Sequence, residues 1–339
     1  MSTRTQTGLP LGAGGVVAPS RAWQRAGLLA ALAVVAVVPA LPFVNSYLLA
    51  VMVRALIFIS LGQAWNIIAG IGGQLSLGNG VFLGLGAYAA GWLFNQYGIP
   101  PWFGIWPGVA LSLAAAFLMG AMTLRIRGIF FALATVAVSL AFEELARHYT
   151  DLTGGDNGLT LTFLGTSLWA LQSRSPVPFV YAGLAFVVSY YWLTRWILAS
   201  HFGLELRAVR DDERAAAAAG VAVLRTKLAG FLLSAAMTAL AGGLYVQYYQ
   251  AIDPASAFGL NQAIQLQLPA LIGGLGTALG PVIGGALMVL AAEVTNWGGA
   301  KLGLVGIDVL TYGVVLLVVV LWAPGGLVGL FTRRTRDGR

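Results

Sequence analysis

The segment ASHFGLELRAVRDDERAAAAAGVAVLRTK, residues 199–227, is a highly charged stretch in a mostly apolar chain. It contains five basic and four acidic residues, whereas long apolar runs precede and follow it. An apolar run of about 20 residues is long enough to cross a bilayer as an α-helix. The sequence therefore predicts a charged loop between two membrane spans.

A short helix is predicted within this charged loop. The alanine run 215–219 has the highest helix propensity, and Gly220 is placed to end the helix. On one continuous helix, three oppositely charged pairs would share a face, each contributing about 0.2–0.5 kcal/mol: Arg207 with Asp211, Asp211 with Arg214, and Arg210 with Glu213. Two interpretations remain open, an ordinary cytosolic loop or a docking element for a soluble partner.

Composition indicates the class of protein. Hydrophobic residues make up 58% of the chain, charged residues only 9%, and the mean hydropathy is +0.83. Such a chain has too few charged residues to cover the surface of a water-soluble globular protein. The 10 tryptophans and 11 tyrosines suit membrane–water interfaces, and the 45 glycines suit close helix packing. We therefore predict an all-α polytopic membrane protein.

Several classes of site are excluded by residue counts. The chain has no cysteine and only two histidines, so disulfides, thiolate chemistry and a histidine-based metal site are excluded. The phosphate-binding pattern G-x-x-x-x-G-K-[ST] is also absent, because both lysines, Lys227 and Lys301, precede leucine. We assign no catalytic residue, and any ATP would have to be bound by another subunit. The net charge of +7 is interpreted as a topology signal and not as nucleic-acid affinity.

The chain divides into three predicted regions. Residues 1–25 read as a cytosolic tail, residues 26–330 as the transmembrane domain, and residues 331–339 as a basic cytosolic tail. Apolar runs predict spans at about 26–43, 47–68, 103–124, 129–145, 179–198, 228–248 and 307–322. With the glycine-rich stretch 70–91, this makes about eight full spans, to which residues 261–297 add a glycine-broken or re-entrant pair. If residues 261–297 cross the membrane twice, the basic C-terminus lies on the cytosolic side, as the excess of basic residues in cytosolic segments predicts.

Two apolar stretches are interrupted by glycine. They lie in opposite halves of the chain, about 200 residues apart, and paired interruptions of this kind point to a transport pathway between structural repeats. The predicted helix-breaking glycines are Gly72, Gly73, Gly78, Gly84, Gly86, Gly273, Gly274, Gly276 and Gly280. The polar residues predicted to line the pathway are Gln74, Ser76, Asn79, Gln265 and Gln267. Tight helix packing alone is the alternative explanation.

Charged residues near span ends have two interpretations. Arg54 lies inside the second predicted span, where snorkelling to the interface is favoured over a pathway role. Glu143 and Glu144 end the fifth span beside Arg147 and His148, which favours interfacial pairing. In a proton-coupled carrier, Glu143 or Arg54 would instead be the coupling group.

Three blocks of sequence resemble a known family. They are GGQLSLGNGVFLGLGAY at 72–88, LELRAVRDDERAAAAAGVAVLRTKLAGFLLSAAMTALAGGLY at 204–245, and LPALIGGLGTALGPVIGGAL at 268–287. In order and spacing they resemble the branched-chain amino acid ABC-transporter permeases, of the LivM type. The resemblance covers most of the chain from the second span to about residue 330.

This resemblance implies a fold, a location and partners. The fold would be that of an ABC importer permease in the bacterial inner membrane, with both termini cytosolic. The partners would be a second, LivH-like permease, two ATPase subunits that bind ATP and Mg, a periplasmic binding protein and membrane lipid, without nucleic acid. The cargo would be leucine, isoleucine or valine. A urea or short-amide importer shares the architecture and remains an alternative, as do a proton-coupled carrier and a passive channel.

The resemblance also assigns the charged loop to coupling against an ATPase. Arg214-Ala-Ala-x-x-x-Gly220 has the spacing of the importer pattern E-A-A-x-x-x-G. Arginine replaces the glutamate, and no Ile-x-Leu-Pro follows, so the docking role is assigned to the loop as a whole. Its predicted coupling residues are Glu205, Arg207, Arg210, Asp211, Asp212, Glu213, Arg214 and Gly220.

Overall fold

A computed structural model of the chain describes residues 39, 45–126, 128–167, 169–302, 307–322 and 326–333. The predicted N-terminal tail and nearly all of the predicted first span lie outside these residues, as does most of the basic C-terminal tail. The three predicted regions and the number of crossings therefore stay predictions.

The first half of the described chain is helical. Its elements are α1 (Ser46–Asn66), a π-helical turn (Ile67–Ile71), α2 (Asn79–Tyr97), α3 (Pro101–Thr123), α4 (Ile129–His148), α5 (Thr150–Thr153), a 3₁₀ turn (Gly155–Asn157) and the short strand β1 (Leu159–Thr160). The bounds of α1, α3 and α4 lie within a few residues of the predicted spans, because apolar runs of this length form helices in lipid. Helix α2 begins later than the predicted glycine-rich stretch 70–91, because the chain is non-helical at residues 72–78.

The second half is helical as well. Its elements are α6 (Val177–Ala199), α7 (His201–Asp211), α8 (Glu213–Ala218), α9 (Val223–Tyr249), the strand β2 (Ala251–Ile252), α10 (Pro254–Phe258), α11 (Leu260–Gly273), α12 (Gly280–Leu302), α13 (Ile307–Trp322) and α14 (Gly326–Arg333). The antiparallel pair β1–β2 is a two-residue ribbon. The all-α polytopic fold is confirmed.

Five of the described helices are long and apolar enough to cross a membrane: α1 with its π-helical turn, α3, α4, α6 and α9. Of these, α1 and α9 are the most buried and α4 is the least buried. The main apolar core lies between α1, α2, α6, α9 and α11. The bundle is therefore built around α1 and α9.

Glycine allows α2 and α9 to pack backbone to backbone. A Cβ atom on Gly86 would lie 2.2 Å from the carbonyl oxygen of Ala239, and one on Gly242 would lie 2.4 Å from that of Leu83. Small residues at helix crossings are the usual means of close approach in membranes. No larger side chain fits at either position without separating the helices.

The predicted pair within residues 261–297 is a helical hairpin. A Cβ atom on Gly273 would meet Gly280, and one on Gly284 would meet Pro269, so α11 and α12 run antiparallel in close contact. A break the sequence analysis did not predict lies at Gly259, between α10 and α11.

The bundle has two chemically different ends. One end carries α7 and α8 and is called the charged end; the opposite end carries the β1–β2 ribbon. The α11–α12 turn lies at the charged end, because Gly276 approaches Arg210 of α7. Helix α14 begins there as well, since a Cβ atom on Gly326 would lie 2.3 Å from the Cα of Gly274.

The charged loop contains two helices and not the single helix that was predicted. Asp212 separates α7 from α8 with an extended backbone, at φ −156° and ψ 113°. Its carboxylate accepts hydrogen bonds from the amides of Arg214 (2.7 Å) and Ala215 (3.1 Å). Aspartate is a strong N-cap residue, so it begins a new helix here instead of continuing the old one.

Candidate functional site

Helix α7 is anchored to the bundle by its apolar side. Ser200 caps its N-terminus by accepting a hydrogen bond from the amide of Gly203 at 3.2 Å. Leu206 and Val209 are almost fully buried, and Leu206 belongs to an apolar cluster that includes Ile71 of the π-helical turn. The charged loop is therefore a fixed part of the fold at this point.

Helix α8 ends as predicted at Gly220. The amide of Val221 donates to the carbonyl of Ala216, and the amide of Gly220 to that of Ala217, both at 3.0 Å. This is the Schellman arrangement, which requires a residue at positive φ, and Gly220 has a φ of +88°.

The three ion pairs predicted for one continuous helix were wrong. Arg207 donates to two main-chain oxygens, those of Leu198 (3.0 Å) and Gly203 (3.1 Å), and so closes the C-terminus of α6. Arg210 pairs with the adjacent Asp211, with 3.0 Å between Nη2 and Oδ1. The predicted pairs of Arg210 with Glu213 and of Asp211 with Arg214 required one continuous helix. The break at Asp212 places their members on two different helices.

Glu213 forms an ion pair with Lys227, in the second turn of α9. The Lys227 side chain is only 2% exposed and that of Glu213 18%. Nearby, the Thr226 hydroxyl donates to Glu205 at 3.1 Å. This role of Lys227 was not predicted from the sequence, although a lysine near the start of an apolar helix was the available signal.

Arg210 connects α7 with both glycine-broken segments. Its Nη1 donates to the carbonyl oxygen of Gly70 at 3.1 Å. A Cβ atom on Gly73 would lie 2.3 Å from the Arg210 Cγ, and one on Gly276 would lie 3.2 Å from its Nη1. Arg210 therefore places α7 in contact with both segments.

Asn66 joins the two segments to each other. Its Nδ2 donates to the carbonyl of Thr277 at 2.9 Å, and its Oδ1 accepts from the amide of Gly276 at 2.8 Å. Asn66 was not predicted from the sequence, where the available signal was an amide side chain at the end of an apolar helix. We call the set Asn66, Gly70, Arg210, Gly276 and Thr277 the junction.

The remaining coupling residues lie around this junction. Asp211, Asp212 and Arg214 are exposed, whereas Glu205 is partly exposed. Glu205 also lies 3.4 Å from the His201 ring nitrogen. The exposed members lie at the protein surface, and the partly buried Glu205, Arg207 and Glu213 hold α7 and α8 in place.

Four of the five predicted pathway residues are buried: Gln74, Ser76, Asn79 and Gln267. Asn79 donates to the hydroxyl of Ser234 at 3.0 Å, and Gln267 to the carbonyl of Ala263 at 2.8 Å. Gln265 is partly exposed. Their role in lining a pathway stays a prediction.

Only some of the predicted glycines break a helix. The chain is non-helical at residues 72–78 and 274–279, whereas Gly84 and Gly86 lie inside the continuous helix α2. There they allow close contact, since a Cβ atom on Gly84 would lie 2.2 Å from the Phe258 ring. Packing thus explains these two glycines, as the alternative interpretation expected.

Arg54 has a partner that the sequence analysis did not identify. Its Nη1 lies 2.8 Å from the Glu293 carboxylate of α12, which also accepts a hydrogen bond from the Tyr47 hydroxyl. The Glu293 side chain is 13% exposed and that of Arg54 37%. Pairing across helices accommodates this charge, and snorkelling to the interface stays a prediction. Glu143 pairs with Arg147 at 2.7 Å, as interfacial pairing predicts.

Glu293→Gln is expected to destabilise the protein by about 1–2 kcal/mol, because Arg54 then loses its ion-pair partner within a span. The exchanged variant Arg54→Glu/Glu293→Arg should recover most of this loss. Thermal unfolding of the detergent-purified protein measures both. Equal destabilisation in the single and exchanged variants would contradict a pairing role.

Comparison with known proteins agrees with this architecture. The family described as branched-chain amino acid transport system, permease component, matches residues 47–323. The chain is 29% identical over 296 residues to the high-affinity branched-chain amino acid transport system permease protein LivM of Salmonella typhimurium, covering 80% of this chain and 68% of that protein.

More distant relatives were also found. LivH of Escherichia coli, a permease of the same kind of transport system, is 26% identical over 201 residues, covering 56% of this chain and 62% of LivH. The ribose import permease RbsC of Bacillus subtilis is 30% identical over 202 residues, covering 56% and 58%. No solved structure matches. Because the family match extends over most of the chain, this protein belongs to the branched-chain amino acid transport system permease family.

Proposed function

We propose that this chain is the membrane-spanning permease subunit of an ATP-driven importer, which moves branched-chain amino acids from a periplasmic binding protein into the cytosol. The junction is the observation that carries the ATP-driven part of the proposal. There α7, which lies in the charged loop, contacts both glycine-broken segments through Arg210. The cargo is supported by the family and by the likeness to LivM.

The proposed partners follow from what this chain lacks and from its relatives. It has no phosphate-binding loop, so two separate ATPase subunits would bind ATP and Mg. A second, LivH-like permease would complete the membrane part. The charged end would face the cytosol, together with both termini.

The proposed mechanism begins at the exposed faces of α7 and α8. An ATPase subunit would bind Asp211, Asp212 and Arg214, and its closure would move the two helices. The buried pair Glu213–Lys227 would pass this movement to α9, and Arg210 would pass it to residues 70–76 and 274–279. Rigid-body movement around such interruptions is the usual form of alternating access.

The passage itself is proposed to involve polar side chains near the interruptions. Gln74 and Ser76 lie in the break at residues 72–78, Asn79 begins α2, and Gln265 and Gln267 lie on α11. A moving zwitterion needs such hydrogen-bonding groups in place of water. Specificity for the cargo would lie mainly in the binding protein.

The test measures uptake of labelled leucine, with urea in parallel, in cells that express this chain with its partner subunits. Arg210→Glu is expected to lower leucine uptake by about tenfold or more, because it removes a charge-assisted hydrogen bond within the junction. Arg225→Glu is the matched control, since Arg225 is an exposed arginine outside the junction. Protein abundance in the membrane should be unchanged in both.

Each contrary result identifies which part of the proposed function is wrong: the energy source, the cargo or the role of the junction. Full uptake after ATP depletion would overturn the ATP-driven mechanism in favour of a proton-coupled carrier. Uptake of urea without leucine would change the cargo. Equal uptake by Arg210→Glu and wild type would remove the junction from coupling.

A further inference from the structure

A groove of about 510 Å³ opens at the charged end of the bundle. Its walls are the last turns of α6, Arg207 of α7, the α11–α12 turn and Val328 of α14. Arg195 and Tyr191 contribute from α6. The groove does not include Asp211, Asp212 and Arg214, which the proposed function assigns to an ATPase, although Gly276 and Thr277 also belong to the junction.

Two arginines line this groove without a carboxylate partner among the described residues. Arg195 lies 3.3 Å from the hydroxyl of Tyr191 and stacks over its ring at 5.9 Å. Arg207 uses Nε and Nη2 for main-chain carbonyls. All of these partners are neutral, so the groove carries two positive charges that its own walls do not balance. An anion is the ligand that such a pair favours.

A helix N-terminus adds to the positive potential. The lining residue Leu279 directly precedes Gly280, where α12 begins. The dipole of a helix attracts negative charge at its N-terminus, although here the Gly280 amide already donates to the Thr277 hydroxyl at 2.9 Å and Pro281 has no N–H. This contribution has the same sign as that of the two arginines.

The groove lies at the depth of the membrane interface. Arg195 is four residues before the end of α6, or about 6 Å along the helix axis. On the same turns Trp192 and Trp196 are 56% and 67% exposed. Exposed tryptophans near a span end lie at the level of the lipid headgroups. Lipid headgroups supply anionic phosphates at this depth.

The other lining residues suit the rest of a lipid. Leu198, Leu279 and Val328 place apolar surface beside the arginines. The phosphate of a lipid can lie between the two guanidinium groups, while its glycerol and acyl chains contact these apolar side chains.

We propose that this groove binds the headgroup phosphate of an anionic phospholipid, held between Arg195 and Arg207. The bound lipid ties α7 to the leaflet at the charged end, since Arg207 is a residue of α7. The proposal is independent of the cargo and of the ATPase.

Native mass spectrometry of the purified full-length chain, assembled with its partner subunits, tests this site. The complex is titrated with phosphatidylglycerol or with phosphatidylcholine. Phosphatidylglycerol adducts are expected to dominate, and Arg195→Gln should lower their affinity by about tenfold, since one of two phosphate contacts is lost. Arg225→Gln is the matched control and should bind like wild type. Arg195→Lys should retain most binding, which separates loss of charge from misfolding.

Three results would overturn the proposal. The first is equal binding of the two lipids by wild type. The second is competition by millimolar inorganic phosphate as effective as that by phosphatidylglycerol, which would make the groove a free-anion site. The third is a phosphatidylglycerol preference seen in the isolated chain but lost in the assembled complex, which would mean that a partner subunit covers the arginines.

Discussion

Lys227→Met is expected to abolish coupled leucine uptake and to destabilise the protein by about 3 kcal/mol, because it removes one member of a mostly buried ion pair with the Glu213 carboxylate. The lysine is almost fully buried, and the carboxylate it pairs with begins α8. Without the pair, α8 loses its ionic attachment to α9. Thermal unfolding measured by tryptophan fluorescence, alongside leucine uptake, reports both effects.

Two further variants separate charge from packing. Arg225→Met is the matched control, since Arg225 is exposed two residues before Lys227, and it should behave like wild type. The double variant Glu213→Leu/Lys227→Met should recover stability, because replacing both members of a buried pair with apolar residues is often neutral. Wild-type stability and uptake in Lys227→Met alone would contradict a role for the pair.

Gly86→Ala is expected to lower stability by about 1–3 kcal/mol, and Gly86→Val to prevent folding, because any Cβ atom here meets backbone. The added carbon would lie 2.2 Å from the carbonyl oxygen and 2.7 Å from the Cα of Ala239. No side-chain rotation relieves this contact, so α2 and α9 must separate. Fluorescence-detected size-exclusion chromatography after heating measures the loss.

Gly104→Ala is the matched control for this prediction. Gly104 also lies inside a helix, α3, but the nearest atom to an added Cβ is 3.5 Å away. Alanine has the higher helix propensity, so this variant should be as stable as wild type or more stable by up to about 1 kcal/mol. Equal melting of Gly86→Ala and Gly104→Ala would show that the α2–α9 contact is not tight in solution.

Local features of the chain were predictable. The bounds of α3, α4, α6 and α9 lie within a few residues of the predicted spans, because length and hydropathy decide where a chain crosses lipid. The end of α8 at Gly220 also followed from a local signal. In each case the deciding interactions lie within a few residues along the chain.

The break at Asp212 shows where local signals compete. Alanine propensity and charge spacing favoured one continuous helix, yet the Asp212 side chain satisfies two free amides at the start of α8. Both outcomes are compatible with the same residues. The burial of Leu206, Val209 and Ala216 against the bundle contributes to the choice.

The sequence by itself determined the class of protein, the family and most spans, because hydropathy, glycine content and three ordered motifs are properties of the chain alone. Only the tertiary structure decided which distant residues meet. Arg54 pairs with Glu293, and Asn66 contacts the turn at Gly276, across separations of more than about 200 residues. No periodicity encodes such a pairing, since it depends on which helix faces pack together. The junction and the buried Glu213–Lys227 pair, on which coupling is proposed to depend, therefore emerged only from the fold.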